Sequence, residues 1–314
     1  MIDIIIPAYN AHNTITRTLF SICSQQIDCK LNVYICNDAS KNDYSDIVND
    51  FKNYINIKEI KLKKNSGPGE ARQIGIDKSK SDYIVFIDSD DVFYTPIALK
   101  SMYEKIKEND SDVLVCSFLE QTNDDYVLHT EDYTWLHGKM YKRSFIKDKG
   151  VKFNETYSNE DTYFNKSLFI RKPKIDYLDD IVYLWLYNED SITRKNNREY
   201  DFKGLLGYID NITEVIEEAR KDKLSKEDIA EYTFSFLYAV YFNYLNFYDD
   251  KSVNLFIEKS RKLRQYYLEY EKDYKVLKEE MFVSQYEFFK NTIDYMKVIN
   301  PVITFDEFLK LYDK

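Results

Sequence analysis

The sequence predicts an α/β chain, a mainly parallel sheet flanked by helices, followed by an all-helical region. Three observations predict it. Short β-branched runs alternate with helix-like segments before about residue 200. Polar or acidic groups follow each of those runs. After about residue 200, apolar and aromatic residues recur at three- and four-residue spacing instead. The expected division is 1–200 and 201–314.

The first strand is expected over 2–6, a β-branched run ended by Pro7, and the second over 31–36. Strands over 57–62 and 82–87 follow, with helices expected over 14–25, 44–53 and 69–78 between them. Strands and helices alternating at these lengths make βαβ units, so ligands are expected at the carboxyl ends of the strands. The helical region should run through 203–221, 226–248, 252–271 and 276–298. Ser225 with Asp228 fits a capping box at the start of the second of these.

Composition narrows the function classes. A chain of 314 residues that is 44% hydrophobic and 31% charged can bury a large core. Its net charge of −10 argues against a nucleic-acid or anionic-membrane binder. The cysteines Cys23, Cys29, Cys36 and Cys116 form no C-x-x-C pair and read as buried thiols of a reducing compartment. His12, His129 and His137 are too scattered to announce a His-rich metal site. The N-terminus lacks a signal-peptide pattern, and the most membrane-like stretch, 234–248, is too short to span. A cytoplasmic chain is expected, with peripheral contact at the inner membrane face as the lesser alternative.

The residues after each strand carry the chemistry. They are Pro7-Ala8-Tyr9-Asn10, Asn37-Asp38-Ala39-Ser40, the run from Asn65 to Ile76, and Asp88-Ser89-Asp90-Asp91. Three carboxylates within four residues repel one another unless a hard cation takes up their charge; the alternative is a solvated acidic turn. Glycines 67, 69 and 75 do not make a dinucleotide fingerprint, because Arg72 stands where the third glycine belongs, and no P-loop exists. Farther on, Glu160-Asp161 could supply a general base, although Ser158 and Asp161 also fit a helix-start motif. The segment from Tyr187 to Lys195 could hold phosphate or be a solvated linker.

Taken in order, these strand ends resemble the inverting family-two glycosyltransferases, whose nucleotide-sugar-binding domain has the GT-A fold. Gly138-Lys139-Met140-Tyr141-Lys142-Arg143 and Asn159-Glu160-Asp161 extend the match over about 195 residues. The resemblance implies that Tyr9, beside Pro7, packs on the nucleotide base and that Asp38 reads the uracil edge. It places Asn65 in the same nucleotide site and Arg72 near the base and pyrophosphate. Asp88 and Asp90 fill the D-x-D positions, Asp88 facing ribose and metal and Asp90 ligating the metal; Asp91 could share or take over that ligation. Ser191 and Arg194 resemble a loop closing over the pyrophosphate. Asn37, Ala39 and Gln73 depart mildly from the usual Asp, Gly and Asn.

The implied reaction moves a sugar from a UDP-sugar to a hydroxyl of a glycan, polysaccharide, lipid-linked or protein acceptor. Mn²⁺ or Mg²⁺ would stabilise charge on the departing diphosphate. Asp161, with Glu160 second, would take the acceptor proton while backside attack inverts the anomeric centre. Nucleotidyltransfer is a weaker expectation, since residues 7–14 lack a phosphate-gripping loop. A non-catalytic nucleotide-sugar-binding or assembly protein is the other alternative. Residues 201–314 could serve acceptor binding or homo-oligomer formation.

Overall fold

The computed structural model describes residues 1–154, 159–188, 198–246, 250–277 and 303–313. The chain divides into two compact units, Met1–Asn196 and Asn197–Lys314.

In the first unit, strands β1 (Ile2–Ala8), β2 (Leu31–Asn37), β3 (Asn56–Lys61) and β4 (Tyr83–Phe86) alternate with helices α1 (Ile15–Cys23), α2 (Ser45–Phe51) and α3 (Pro68–Lys78). Then follow β5 (Val92–Phe93), α4 (Ala98–Glu108), β6 (Val113–Gln121), β7 (Tyr126–His129), β8 (Lys139–Lys142), α5 (Arg143–Asp148), α6 (Glu160–Phe169) and β9 (Ile175–Trp185). These strands form one sheet in the order β3-β2-β1-β4-β8-β6-β9-β5, with β7 paired to β6. The strands β3, β2, β1 and β4 are mutually parallel, as the βαβ pattern requires. β8 runs antiparallel to both β4 and β6, and β9 runs parallel to β6, so the second half of the sheet is mixed.

Alternation along β1 explains the two layers. Ile4 and Ile6 point into a core with Ile15, Leu19, Leu99 and Met102 of α1 and α4. Ile5 points to the other face, with Ala71 and Ile76 of α3 and Phe164 and Leu168 of α6. Fully burying each such side chain is worth about 1.5–3 kcal/mol. Helix α3 lies so close to the sheet that a Cβ on Gly75 would sit 2.5 Å from Ile5 Cγ2 and 3.1 Å from Cys36 Sγ. Gly75 is there for that approach, not for phosphate binding.

In the second unit, α7 (Arg198–Lys221), α8 (Lys226–Asn246) and α9 (Asp250–Leu277) precede the short α10 (Phe305–Leu309) and a 3₁₀ turn, Lys310–Asp313. Ile209, Ile212, Val215, Leu237, Val240, Phe256 and Leu263 are buried there. Around them Tyr238 and Tyr241 of α8 meet Phe305 of α10. Asp228 N donates to Ser225 Oγ at 3.1 Å, capping α8. Most of the helix expected over 276–298 lies outside the described residues. No helix among the described residues is long and apolar enough to cross a membrane.

Candidate active site

Strands β1, β2 and β4 present their carboxyl ends along one edge of the sheet. After β1, Tyr9 is exposed, and Asn10 holds a left-handed backbone (φ 53°). Asn10 N donates to Ser40 Oγ, tying the β1 loop to the β2 loop. After β2, the buried Asp38 carboxylate accepts Ser66 N (2.7 Å) on one oxygen and Gly67 N (2.8 Å) on the other. Asp38 thus organises the β3–α3 loop, whose Asn65 is exposed. Asn37, where the family more often has Asp, donates its amide to Glu59 Oε1 at 2.7 Å. A carboxylate could not make that bond. Ala39 stands at φ 56°, a conformation that favours glycine. Gln73, the other departure, accepts Phe153 N at 2.9 Å and links α3 to the chain before α6.

Pro68 opens α3, and within its first turns Arg72 is turned inward and buried. Its guanidinium donates to Asp88 Oδ1 and to Glu160 Oε1, both at 2.6 Å. Burial works to lower the Arg72 pKa, but Asp88 and Glu160 outweigh it and raise it. Among the described residues, Arg72 Nε is buried with no hydrogen-bond partner. Gly69 lets this happen: a Cβ there would press on Glu160 Cβ at 3.1 Å. Glu160 is therefore engaged in an ion pair with Arg72, whereas its neighbour Asp161 accepts Thr162 N at 2.7 Å. Helix α6 starts at Glu160 with Asn159 in the left-handed region as its cap residue, so the capping position falls one residue after Ser158. Ser158 itself, like Ser191 and Arg194, lies outside the described residues. Asp161 is partly buried, and its carboxyl is pushed up to about 7 by burial and then by Glu160. A carboxylate with that value can accept a proton near neutrality.

The acidic turn after β4 distributes its three carboxylates differently. Asp88 is half-buried; burial would raise its pKa, but Arg72 and His137 hold it well below the usual carboxylate range. Asp90 accepts Asn188 Nδ2 at 2.8 Å and is raised by burial and by Asp88. Asp91 is buried, accepting Tyr183 Oη (2.6 Å) and Leu186 N (2.8 Å); burial, Asp88 and Asp90 push it well above the usual value. Between Asp88 and Asp91 stands His137, its Nε2 at 3.6 and 4.0 Å from their oxygens. One ligand atom each from Asp88, Asp91 and His137 falls within a 4.8 Å span. Two carboxylate oxygens and one imidazole nitrogen suit Mn²⁺ well and Mg²⁺ less well, and a cation there would relieve the repulsion that raises Asp91. The buried Nδ1 of His137, which has no partner among the described residues, adds a second orphan atom to Arg72 Nε.

The structure thus brings Arg72, Asp88, Asp90, Asp91, Glu160 and Asp161 to one locus, with Asp38 and Tyr9 on the loops of the neighbouring strands. His137 is the residue sequence reasoning passed over. Its only signal is position: it directly precedes Gly138 and Lys139, the motif that opens β8, the partner of β4. Lys139, buried in that motif, donates to Trp135 O at 2.6 Å and pairs with Asp132 at 3.4 Å, and burial lowers its pKa to about 8.

Comparison with known proteins adds four findings. The family model described as Glycosyl transferase family 2 matches residues 3–171. The chain is 27% identical over 246 residues to the poly(ribitol-phosphate) beta-N-acetylglucosaminyltransferase TarS of Staphylococcus aureus, covering 72% of this chain and 43% of that protein. It is 30% identical over 246 residues to a poly(ribitol-phosphate) beta-glucosyltransferase of Bacillus spizizenii, covering 71% of this chain and 38% of that one. The chain therefore spans less than half the length of these curated relatives. Among solved structures, S. aureus TarS 1–349 in complex with UDP-GlcNAc superposes with a TM-score of 0.70 at 22% identity, covering 84% of this chain and 81% of that one. That likeness shows a GT-A-like fold.

Proposed function

Because the chain belongs to glycosyl transferase family 2, we propose that it transfers a sugar from a UDP-sugar to a hydroxyl of a poly(ribitol phosphate) chain, with inversion at the anomeric carbon. The observation that carries this reading is the contrast between two adjacent carboxylates. Asp161 has a carboxyl near neutrality, while the adjacent Glu160 is neutralised by Arg72. The relatives' names support poly(ribitol phosphate) as acceptor, and the UDP-GlcNAc complex of TarS supports a UDP-hexose as donor.

In this reading Tyr9 and Pro7 flank the base, and Asp38, Asn65, Arg72 and Asp88 hold the nucleotide. Ser191 and Arg194 are assigned to the same diphosphate. A divalent cation, Mn²⁺ or Mg²⁺, would be held by Asp88, Asp91 and His137 with Asp90 beside them, and would supply Lewis-acid stabilisation of the leaving diphosphate. The acceptor oxygen attacks the anomeric carbon as its bond to the β-phosphate oxygen breaks. That electron pair leaves with UDP, and the hydroxyl proton passes to Asp161. Residues 1–200 are the catalytic domain in this reading, and 201–314 serve the acceptor or self-association.

Calorimetry with UDP and other nucleoside diphosphates, with and without Mn²⁺, on wild type and Asp91→Ala tests it. Binding of UDP in preference to the others, strengthened by Mn²⁺ and weakened at least tenfold in the variant, is expected, followed by transfer from UDP-GlcNAc or UDP-glucose to poly(ribitol phosphate). Binding to no nucleotide, or binding indifferent to both metal and substitution, would overturn it.

A further inference from the structure

The chain contains two tryptophans, Trp135 and Trp185, separated by 50 positions. Folding brings both to one place. Trp135 lies in the loop before β8, and Trp185 ends β9. Their rings are 5.4 Å apart at 55°, and His137 lies 6.2 Å from Trp135 and 4.9 Å from Trp185. Both indoles pack on the sheet core yet remain partly exposed, while His137 beside them is buried.

Their mountings are stiff. Asp132 Oδ1 accepts Thr134 N (2.9 Å) and Trp135 N (2.7 Å). The Trp135 carbonyl accepts both Lys139 Nζ (2.6 Å) and Asn165 Nδ2 (2.9 Å). On the other side Trp185 is paired with Glu120 of β6, and the next residue, Leu186, donates its N–H to Asp91. Rigid aromatic surface, partly open, therefore adjoins the Asp88, Asp91 and His137 group.

We propose that Trp135 and Trp185 form a stacking platform for the C–H face of a sugar or sugar-alcohol unit, a subsite of the site described above. The proposal rests on the nucleotide-sugar reading. A pyranose presents aliphatic hydrogens on one face and hydroxyls at its rim, which suits an indole face next to convergent polar groups. Such a unit could come from the hexose of the donor or from the acceptor chain; the chemistry is shared, and the experiment separates the sources.

Because both tryptophans belong to the platform, selectively excited tryptophan emission reports on this place alone. Wild type is titrated with UDP, UDP-GlcNAc, UDP-glucose and nucleotide-free poly(ribitol phosphate), in parallel with calorimetry. An emission change with the UDP-hexoses beyond that with UDP assigns the platform to the donor sugar; a change with poly(ribitol phosphate) assigns it to the acceptor. Trp135→Ala and Trp185→Ala should weaken that ligand about tenfold, leave UDP affinity within about twofold, and be partly rescued by Trp→Phe, which keeps an aromatic face. UDP binding intact with emission unmoved by every sugar-bearing probe, or alanine variants that keep full affinity for them, would overturn the platform. Failure of UDP itself to bind would instead overturn the nucleotide-sugar reading beneath it.

Discussion

The two edges of the parallel sheet treat the same side chain in opposite ways. At the amino edge, Asp3 of β1 is fully buried, and its carboxylate accepts Lys80 N (2.7 Å), Ser81 N (2.9 Å), Ser81 Oγ (2.6 Å) and Asn32 Nδ2 (2.7 Å). Burial works to raise its pKa, but those hydrogen bonds outweigh it and the value is lowered. At the carboxyl edge, Asp90, Asp91 and Asp161 are all held above the ordinary value, first by burial and then by neighbouring carboxylates, Asp88 at Asp90 and Asp91 and Glu160 at Asp161. An aspartate with a complete set of donors is a structural bolt. Aspartates crowded together with too few donors store unfavourable charge, which a cation, a diphosphate partner or a proton can discharge.

The largest test of that contrast is Asp161→Asn. Transfer activity should fall by roughly 10²–10⁴-fold, the usual contribution of a positioned base. In wild type, kcat/KM should rise with pH through about 7, because only the ionised carboxylate accepts a proton. Stability should move the other way. With the folded pKa raised above the ordinary value of 3.8, the native state binds the extra proton, so Asp161 costs stability as pH rises between the two values. Denaturant unfolding near pH 8 should find the Asn variant more stable by about 2 kcal/mol, roughly half the full conversion of the shift because the side chain is partly solvated, with the gain vanishing near pH 4. A variant that is inactive and also less stable at pH 8 would mean that Asp161 is another bolt.

Asp3→Asn should do the reverse. It removes one acceptor oxygen and sets an amide against donors, at a cost of about 2–3 kcal/mol. Activity per folded molecule should be unchanged. The lowered pKa makes the Asp3 contribution fully present above the unfolded-state value of 3.8 and lost as pH falls through the folded one. Wild type should therefore lose more stability on acidification than the variant does. Equal pH dependence of the two would break the comparison at its amino edge.

This contrast also explains how much was legible. Asp38, Arg72 and Asp88-Ser89-Asp90-Asp91 stand directly after strands or open a helix, where position in the chain implies position on the sheet edge, so local pattern found them. The strands β1 to β4 and their helices were readable for the same reason, each being one apolar run with its own turn. His137, Trp135 and Trp185 have no such rule. They reach the site only because β8 inserts antiparallel between β4 and β6 and β9 returns beside β6, pairings with no local signature. The ranking within the acidic turn was equally hidden: it follows from Tyr183 and Leu186 N claiming Asp91 and Asn188 claiming Asp90, all from the distant β9 and its exit. Asp3 carries no local signal of its role, because its donors lie 29 to 78 positions away.

The smallest effect belongs to the β2 loop, between the two edges in character. Ala39 holds φ 56° so that Ser40 can accept Asn10 N and donate its own N–H to Asn37 Oδ1 at 2.8 Å. The left-handed backbone costs an L-residue about 1–2 kcal/mol, while glycine costs about 0.5–1 kcal/mol in chain entropy. Ala39→Gly should therefore stabilise by about 0.5 kcal/mol in denaturant unfolding and leave nucleotide affinity unchanged. The neighbouring departure behaves differently, because Asn37 donates to Glu59, which also accepts Tyr44 N at 3.2 Å. Strain at Ala39 is thus an isolated local cost, whereas Asn37 is matched to its surroundings. A loss of stability in Ala39→Gly would show that the alanine methyl is itself part of the loop's packing and that the strain is compensated there.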